Sequence, residues 1–180
     1  FPVERIYFNG NNKSREELRM AVKAGIRRVI VDNLSELHLL DEVARELHSN
    51  TKILLRITPG VEAHTHEYIQ TGQLDSKFGV GLANGQALAA VKEALGKSGA
   101  TLVGFQCHIG SQIFNLDSYR VAVGLMLDFI AETARETGFT CRELDMGGGL
   151  GIRYNDKDAP ASVEDYAAAL WDAVEAGCQT

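Results

Sequence analysis

Short runs rich in β-branched residues alternate along this chain with amphipathic stretches of about 12 to 20 residues, the pattern of a parallel sheet built from βα units. Strands are expected at Arg5–Asn9, Arg27–Asp32, Lys52–Ile57, Thr101–Cys107 and Cys141–Met146. Each run is mostly apolar, as strands covered on both faces should be. A helix is expected after each strand. Leu18, Ala21, Val22 and Gly25 mark the first, and Leu37, Leu40, Ala44 and Leu47 the second. Leu88, Val91 and Leu95 mark the third, Val123, Met126, Leu127, Ile130 and Ala134 the fourth, and Tyr166, Ala169, Leu170 and Ala173 the fifth. Ser14 and Glu17 have the spacing of a capping box, and Gly25, Gly99 and Gly138 stand where helices should stop.

Such units admit two closures: an open doubly wound sheet, or most of a (β/α)8 barrel. A complete barrel takes about 250 residues, and this chain has 180. A dinucleotide-binding sheet is disfavoured, because Phe8-Asn9-Gly10-Asn11-Asn12-Lys13-Ser14 lacks the glycine spacing required after the first strand. With 45% hydrophobic and 23% charged residues the chain can bury a sizeable core, and no linker-like tract divides it, so residues 1–180 are expected to form part of one domain. The 18 basic and 24 acidic side chains leave a net charge of −6, which favours neither nucleic acid nor an anionic membrane as a partner. The start, Phe1-Pro2-Val3-Glu4, has no initiator Met and no signal-peptide pattern, and it reads as a cut. Cys107, Cys141 and Cys178 include no close pair, which points to a reducing cytoplasm and away from a disulfide framework.

Three segments could carry chemistry. Gly147-Gly148-Gly149 follows the last expected strand, and glycines let backbone N–H groups approach an anion that a Cβ would keep away. A tight turn would use the same residues, but ligands of βα folds gather at the carboxyl ends of strands. Cys107-His108-Ile109-Gly110-Ser111-Gln112 lies on the same rim, where Ser111 could donate to a phosphate oxygen and His108 could stack on a planar ligand. Cys107 and His108 are adjacent on a strand and point to opposite faces, which argues against a thiol nucleophile. The third segment, Thr58 to about Gly81, is long for a loop inside a compact domain, and such loops are usually functional. It holds His64 and His66, but no Cys or carboxylate at ligand-like spacing completes a site nearby, so no metal is expected. Lys77 in the same segment reads as a surface lysine before a turn.

Taken in order, Gly10-Asn11-Asn12-Lys13-Ser14, Thr58-Pro59-Gly60 with His64-Thr65-His66, Thr71-Gly72 with Ser76-Lys77-Phe78-Gly79, His108-Ile109-Gly110-Ser111-Gln112-Ile113 and Gly147-Gly148-Gly149 resemble the fold-type III pyridoxal-phosphate decarboxylases. The segment from Thr58 to Gly79 looks more like the diaminopimelate branch than the ornithine or arginine branches. The resemblance implies an α/β fold, a partial (β/α)8 TIM barrel of the alanine-racemase-like type. Residues 1–180 would be its central part, lacking the first strand or strands, the last units and the C-terminal β-domain. It implies pyridoxal 5'-phosphate as cofactor, with His108 stacked against the pyridine ring as the catalytic contact. Ser111 and the N–H groups of Gly148 and Gly149 would hold the phosphate. The implied reaction is decarboxylation of meso-2,6-diaminopimelate to L-lysine, the last step of lysine biosynthesis, by a cytoplasmic homodimer. The lysine that carries the cofactor would lie upstream of Phe1, and further site residues beyond Thr180, so residues 1–180 alone should be inactive. Gln106 stands where the family often has His. The alternatives are a related decarboxylase of another amino acid or polyamine precursor, a non-catalytic barrel that binds the same cofactor, and another phosphate-binding barrel enzyme such as an isomerase or aldolase.

Overall fold

A computed structural model describes residues 1–61, 78–82 and 85–179. A 3-10 turn (Val3–Arg5) leads into β1 (Tyr7–Phe8), α1 (Arg15–Ala24), β2 (Arg28–Val31), α2 (Leu34–Glu46), β3 (Thr51–Thr58), β4 (Val80–Gly81), α3 (Gln86–Leu95), β5 (Ala100–Gln106), α4 (Asp117–Thr137), β6 (Glu143–Asp145) and α5 (Val163–Cys178). Every expected strand and helix is therefore present. The addition is β4, which pairs in parallel with the end of β3 through Ile57–Val80 and Thr58–Gly81. Two residues are too few to show a periodicity.

Among the described residues every pairing is parallel, in the order β1-β2-β3-β5-β6. In a flat sheet the edge strands β1 and β6 would lie about 19 Å apart, four strand spacings. Instead the Tyr7 hydroxyl on β1 donates to Glu143 Oε2 on β6 at 3.2 Å, and Arg28 on β2 grips the same carboxylate, its Nε at 2.8 Å from Oε2. The sheet is curled into a half-barrel, which excludes the open doubly wound alternative.

Strand alternation gives the two faces different work. On the convex side Val29, Val31, Ile53, Leu55, Ile57, Leu102 and Phe105 join the helices in the main core. On the concave side Arg28 and Glu143 form a charged floor, Ile30, Leu54 and Val103 a separate apolar cluster above it, and Asp32, Arg56, Gln106 and Asp145 a polar layer at the carboxyl rim. The expectation of strands apolar on both faces fails there, because this face is a barrel interior whose top serves ligands.

The local signals explain most helix ends. Ser14 and Glu17 form the expected capping box, and Asn33 and Ser162 cap α2 and α5 through the amides of Glu36 and Asp165. Gly25 and Gly138 end α1 and α4 in the left-handed conformation. Gly99 does not end a helix. α3 stops at Leu95, capped by Gly96, while Gly99 donates its N–H to Asp41 Oδ1 at 2.7 Å, where a Cβ would come within 2.6 Å of the Asp41 carbonyl oxygen. α3 also buries Ala87, Ala90, Val91 and Ala94, leaving Leu88 half-buried and Leu95 exposed, so the leucine stripe misjudged its face. In α4 the stripe begins earlier, at Ser118 and Tyr119, and Ala134 is exposed. Among the described residues no helix is long and apolar enough to cross a membrane.

Candidate functional site

The carboxyl ends of the strands form one rim, and the loops after β5 and β6 are locked together there. Ile113 N donates to Gly149 O at 2.9 Å and Gly151 N to Ile113 O at 2.8 Å, an isolated parallel bridge between the loops. Gln112, held at φ 59°, completes the clamp: its Nε2 donates to Ile152 O at 2.6 Å and its Oε1 accepts from Ile152 N at 3.1 Å. The contact leaves no room for a Cβ at Gly147 or Gly149. A Cβ on Gly149, whose φ is +101°, would lie 1.9 Å from Gly110 O and 3.3 Å from His108 Cε1, and one on Gly147 would lie 2.5 Å from Cys107 O.

Four of the six polar backbone groups of the glycine turn have a partner within the protein. Gly147 N donates to Asp145 Oδ1 at 2.8 Å. Gly147 O accepts from the Tyr166 hydroxyl at 3.3 Å, Gly148 O from the Tyr119 hydroxyl at 3.2 Å, and Gly149 O from Ile113 N. Two donors are left over among the described residues, the N–H groups of Gly148 and Gly149. Adjacent amides presented by a glycine turn are an anion-binding arrangement. Ser111, exposed on the facing loop, supplies a hydroxyl to the same rim.

His108 is half-buried beside this turn. Burial, followed by the Arg56 cation, lowers its pKa below the usual histidine value, with Asp145 pulling the other way. A neutral ring suits stacking on a planar heteroaromatic better than an imidazolium would. In the folded protein the His108 Cε1 proton, followed by NMR, is therefore expected to titrate below about 6.5. Since the unfolded chain takes up that proton first, His108 makes the fold less stable as pH falls through that value. A midpoint at or above 6.5 would contradict this.

Sequence reasoning placed His108, Ser111, Gly148 and Gly149 on one rim, and the structure brings their two loops together. His64, His66, Thr71, Gly72, Ser76 and Lys77 lie outside the described residues. Cys107 faces the core, with its Sγ 3.8 Å from Met146 Sδ, and burial pushes its thiol up to about 12, which removes it as a nucleophile at neutral pH. Missed were Asp32 and Arg56, an ion pair at 3.0 Å whose guanidinium lies 5.3 Å over the Phe78 ring. A charged residue closing an apolar strand, as Asp32 does, was the available signal. Missed too was Lys13, buried against Glu36 at 2.8 Å, with Nζ donating to Gly10 O and Ile30 O at 2.5 and 2.8 Å. This lysine ties the loop after β1 to β2 and α2.

The carboxyl rim of this parallel half-barrel thus carries a glycine turn with two unpaired amides beside a half-buried histidine, the layout of a barrel whose ligand sits at the strand ends. Residues 1–180 match the family described as pyridoxal-dependent decarboxylase, pyridoxal binding domain. The chain belongs to that family. It is 49% identical over 173 residues to a diaminopimelate decarboxylase of Halalkalibacterium halodurans, covering 96% of this chain and 39% of that protein. Against the Bacillus subtilis diaminopimelate decarboxylase the identity is 46% over 175 residues, with 97% and 40% covered. The crystal structure of the M. jannaschii diaminopimelate decarboxylase in complex with L-lysine superposes with a TM-score of 0.88 at 36% identity, covering 99% of this chain and 41% of that one. The chain spans about two fifths of the length of the relatives it matches.

The family's cofactor fits the residues present. A phosphate monoester needs several hydrogen-bond donors, and the rim offers the unpaired amides of Gly148 and Gly149 with the exposed Ser111 hydroxyl on the facing loop.

Proposed function

We propose that the protein carrying this chain decarboxylates meso-2,6-diaminopimelate to L-lysine and CO2, with pyridoxal 5'-phosphate held on the rim between the β5 and β6 loops. The observation that carries the reading is the pair of unpaired amides, Gly148 and Gly149, on a turn whose other polar groups are satisfied. In this reading those amides and the Ser111 hydroxyl bind the phosphate, and the neutral His108 ring lies against the pyridine. When bound, the cofactor supplies an electron sink for the electron pair left behind as CO2 departs. The work of this chain is to bind, orient and exclude water. The glycine turn would hold the phosphate of the cofactor and His108 would contact its ring, while the floor formed by Arg28, Glu143 and Tyr7 closes the other end of the lumen. The choice of diaminopimelate is supported by the names of the relatives. The proposal further takes residues 1–180 as the central part of the barrel domain, and the whole protein as a cytoplasmic homodimer that takes a small amino-acid substrate.

The test uses the full-length protein with meso-diaminopimelate, ornithine, arginine and lysine, following release of CO2. Turnover of meso-diaminopimelate at least a hundredfold above the others is expected. Preference for another of them would overturn the substrate assignment. Ser111→Ala should weaken pyridoxal 5'-phosphate binding about tenfold, the scale of one hydrogen bond to a charged group. His108→Ala should lower kcat at least tenfold with little change in melting temperature, and an unchanged kcat would remove His108 from the site.

A further inference from the structure

Glycine has no Cβ to bias its backbone, so the orientation of the peptide planes in Gly147-Gly148-Gly149 is set by their hydrogen bonds. A flipped plane would present a carbonyl oxygen where an N–H is needed. In a trans peptide the C=O of one residue and the N–H of the next share a plane and point in opposite directions. Fixing the Gly147 carbonyl therefore fixes the Gly148 N–H, and fixing the Gly148 carbonyl fixes the Gly149 N–H. Those two carbonyls are the ones held by tyrosine hydroxyls, Tyr166 on Gly147 and Tyr119 on Gly148.

We infer that Tyr119 and Tyr166 are positioning residues for the anion site, each controlling one amide. This inference rests on the reading that Gly148 and Gly149 hold a phosphate, and it assigns two residues of α4 and α5 to that task. The two rings brace each other, with centroids 4.8 Å apart at an interplanar angle of 77°, so two helices act on the turn as one support. Tyr119 is fully buried, and burial pushes its hydroxyl up to about 12, keeping it a protonated donor across the physiological range. Burial also raises Tyr166, with Cys107 and Asp145 adding to the effect. The hydrogen bonds, at 3.2 and 3.3 Å, are at the long end for O–H···O. An anion on the amides increases the charge on both carbonyl oxygens and draws the bonds tighter, so ligand and tyrosines reinforce one another.

The experiment compares Tyr119→Phe, Tyr166→Phe and the double variant with wild type in the full-length protein. Phenylalanine keeps the ring packing and removes only the hydroxyl. Binding of pyridoxal 5'-phosphate and of pyridoxal, which lacks the phosphate, is measured by fluorescence titration of the apoprotein, together with the 31P shift of the bound phosphate. Each single variant is expected to lose about three- to tenfold in affinity for the phosphorylated ligand and almost nothing for pyridoxal, with a displaced 31P resonance. Equal losses for both ligands would mean that the tyrosines act only on the fold, and no loss for either would overturn the inference outright. If the double variant does not fold, Tyr166→Phe alone decides, since Tyr166 is only half-buried. Ser111→Ala separates the two levels of argument. If it weakens phosphate binding while the tyrosine variants do not, the inference fails alone; if Ser111→Ala also leaves affinity unchanged, the phosphate reading fails with it.

Discussion

Replacing Gly149 with valine is expected to reduce pyridoxal 5'-phosphate affinity by more than a hundredfold, about 2.7 kcal/mol or more. Two causes act together. The residue sits at φ +101°, a conformation that β-branched side chains essentially do not adopt, and its Cβ would lie 1.9 Å from Gly110 O. Relief requires the β5 and β6 loops to separate, which breaks the Ile113–Leu150 bridge and moves His108 as well as the turn. Gly148→Ala is the contrast, because a Cβ there meets nothing within 4 Å and its φ is not positive. Equilibrium dialysis and thermal melting of the full-length variants check both. Gly148→Ala should melt close to wild type, whereas an unchanged affinity in Gly149→Val would show that the turn does not hold the cofactor.

The second large effect concerns stability. Glu36→Leu should destabilise the fold by about 3–5 kcal/mol, because it leaves the Lys13 ammonium buried without its counter-charge. Lys13 and Glu36 are both almost fully enclosed, and two backbone carbonyls cannot neutralise a cation. Burial pushes the Glu36 carboxyl above its usual range, and the hydrogen bond and charge of Lys13 are the main opposing influences. The pair is therefore held together by mutual need. Combining Lys13→Met with Glu36→Leu should recover most of the loss, since an apolar pair of similar volume often replaces a buried ion pair at little cost. Chemical denaturation of wild type, both single variants and the double variant forms a double-mutant cycle. A double variant no more stable than Glu36→Leu would show that the unpaired charge is not the cause.

The order of elements was legible because hydrophobic period and glycine punctuation are local properties. Leu37, Leu40 and Ala44 are buried where their spacing placed them, and Ser14 caps the helix that its sequence announces. The face of α3 was misjudged because alanines carry the contact. Small side chains bring helix and sheet closer, and a pattern anchored on leucine overlooks them. The curl of the sheet rests on Tyr7, Arg28 and Glu143, which no periodicity connects. At the candidate site the glycine turn, Ser111 and His108 could be found from residue type and strand end alone. Tyr119 and Tyr166 could not, because each looks like an ordinary apolar position of an amphipathic helix until its hydroxyl is seen to reach a carbonyl.

The strut between Tyr7 and Glu143 joins residues 136 apart in sequence. Contacts of such separation form only after the intervening chain has been gathered in. During synthesis β1 leaves the ribosome long before β6, so the curvature cannot be settled until nearly all of the chain described here has emerged. The turn that follows β6 is later still. A chain that lacked β6 would leave Tyr7 and Arg28 without the carboxylate that draws the two edges of the sheet together, so the curvature belongs to the first and last described strands jointly.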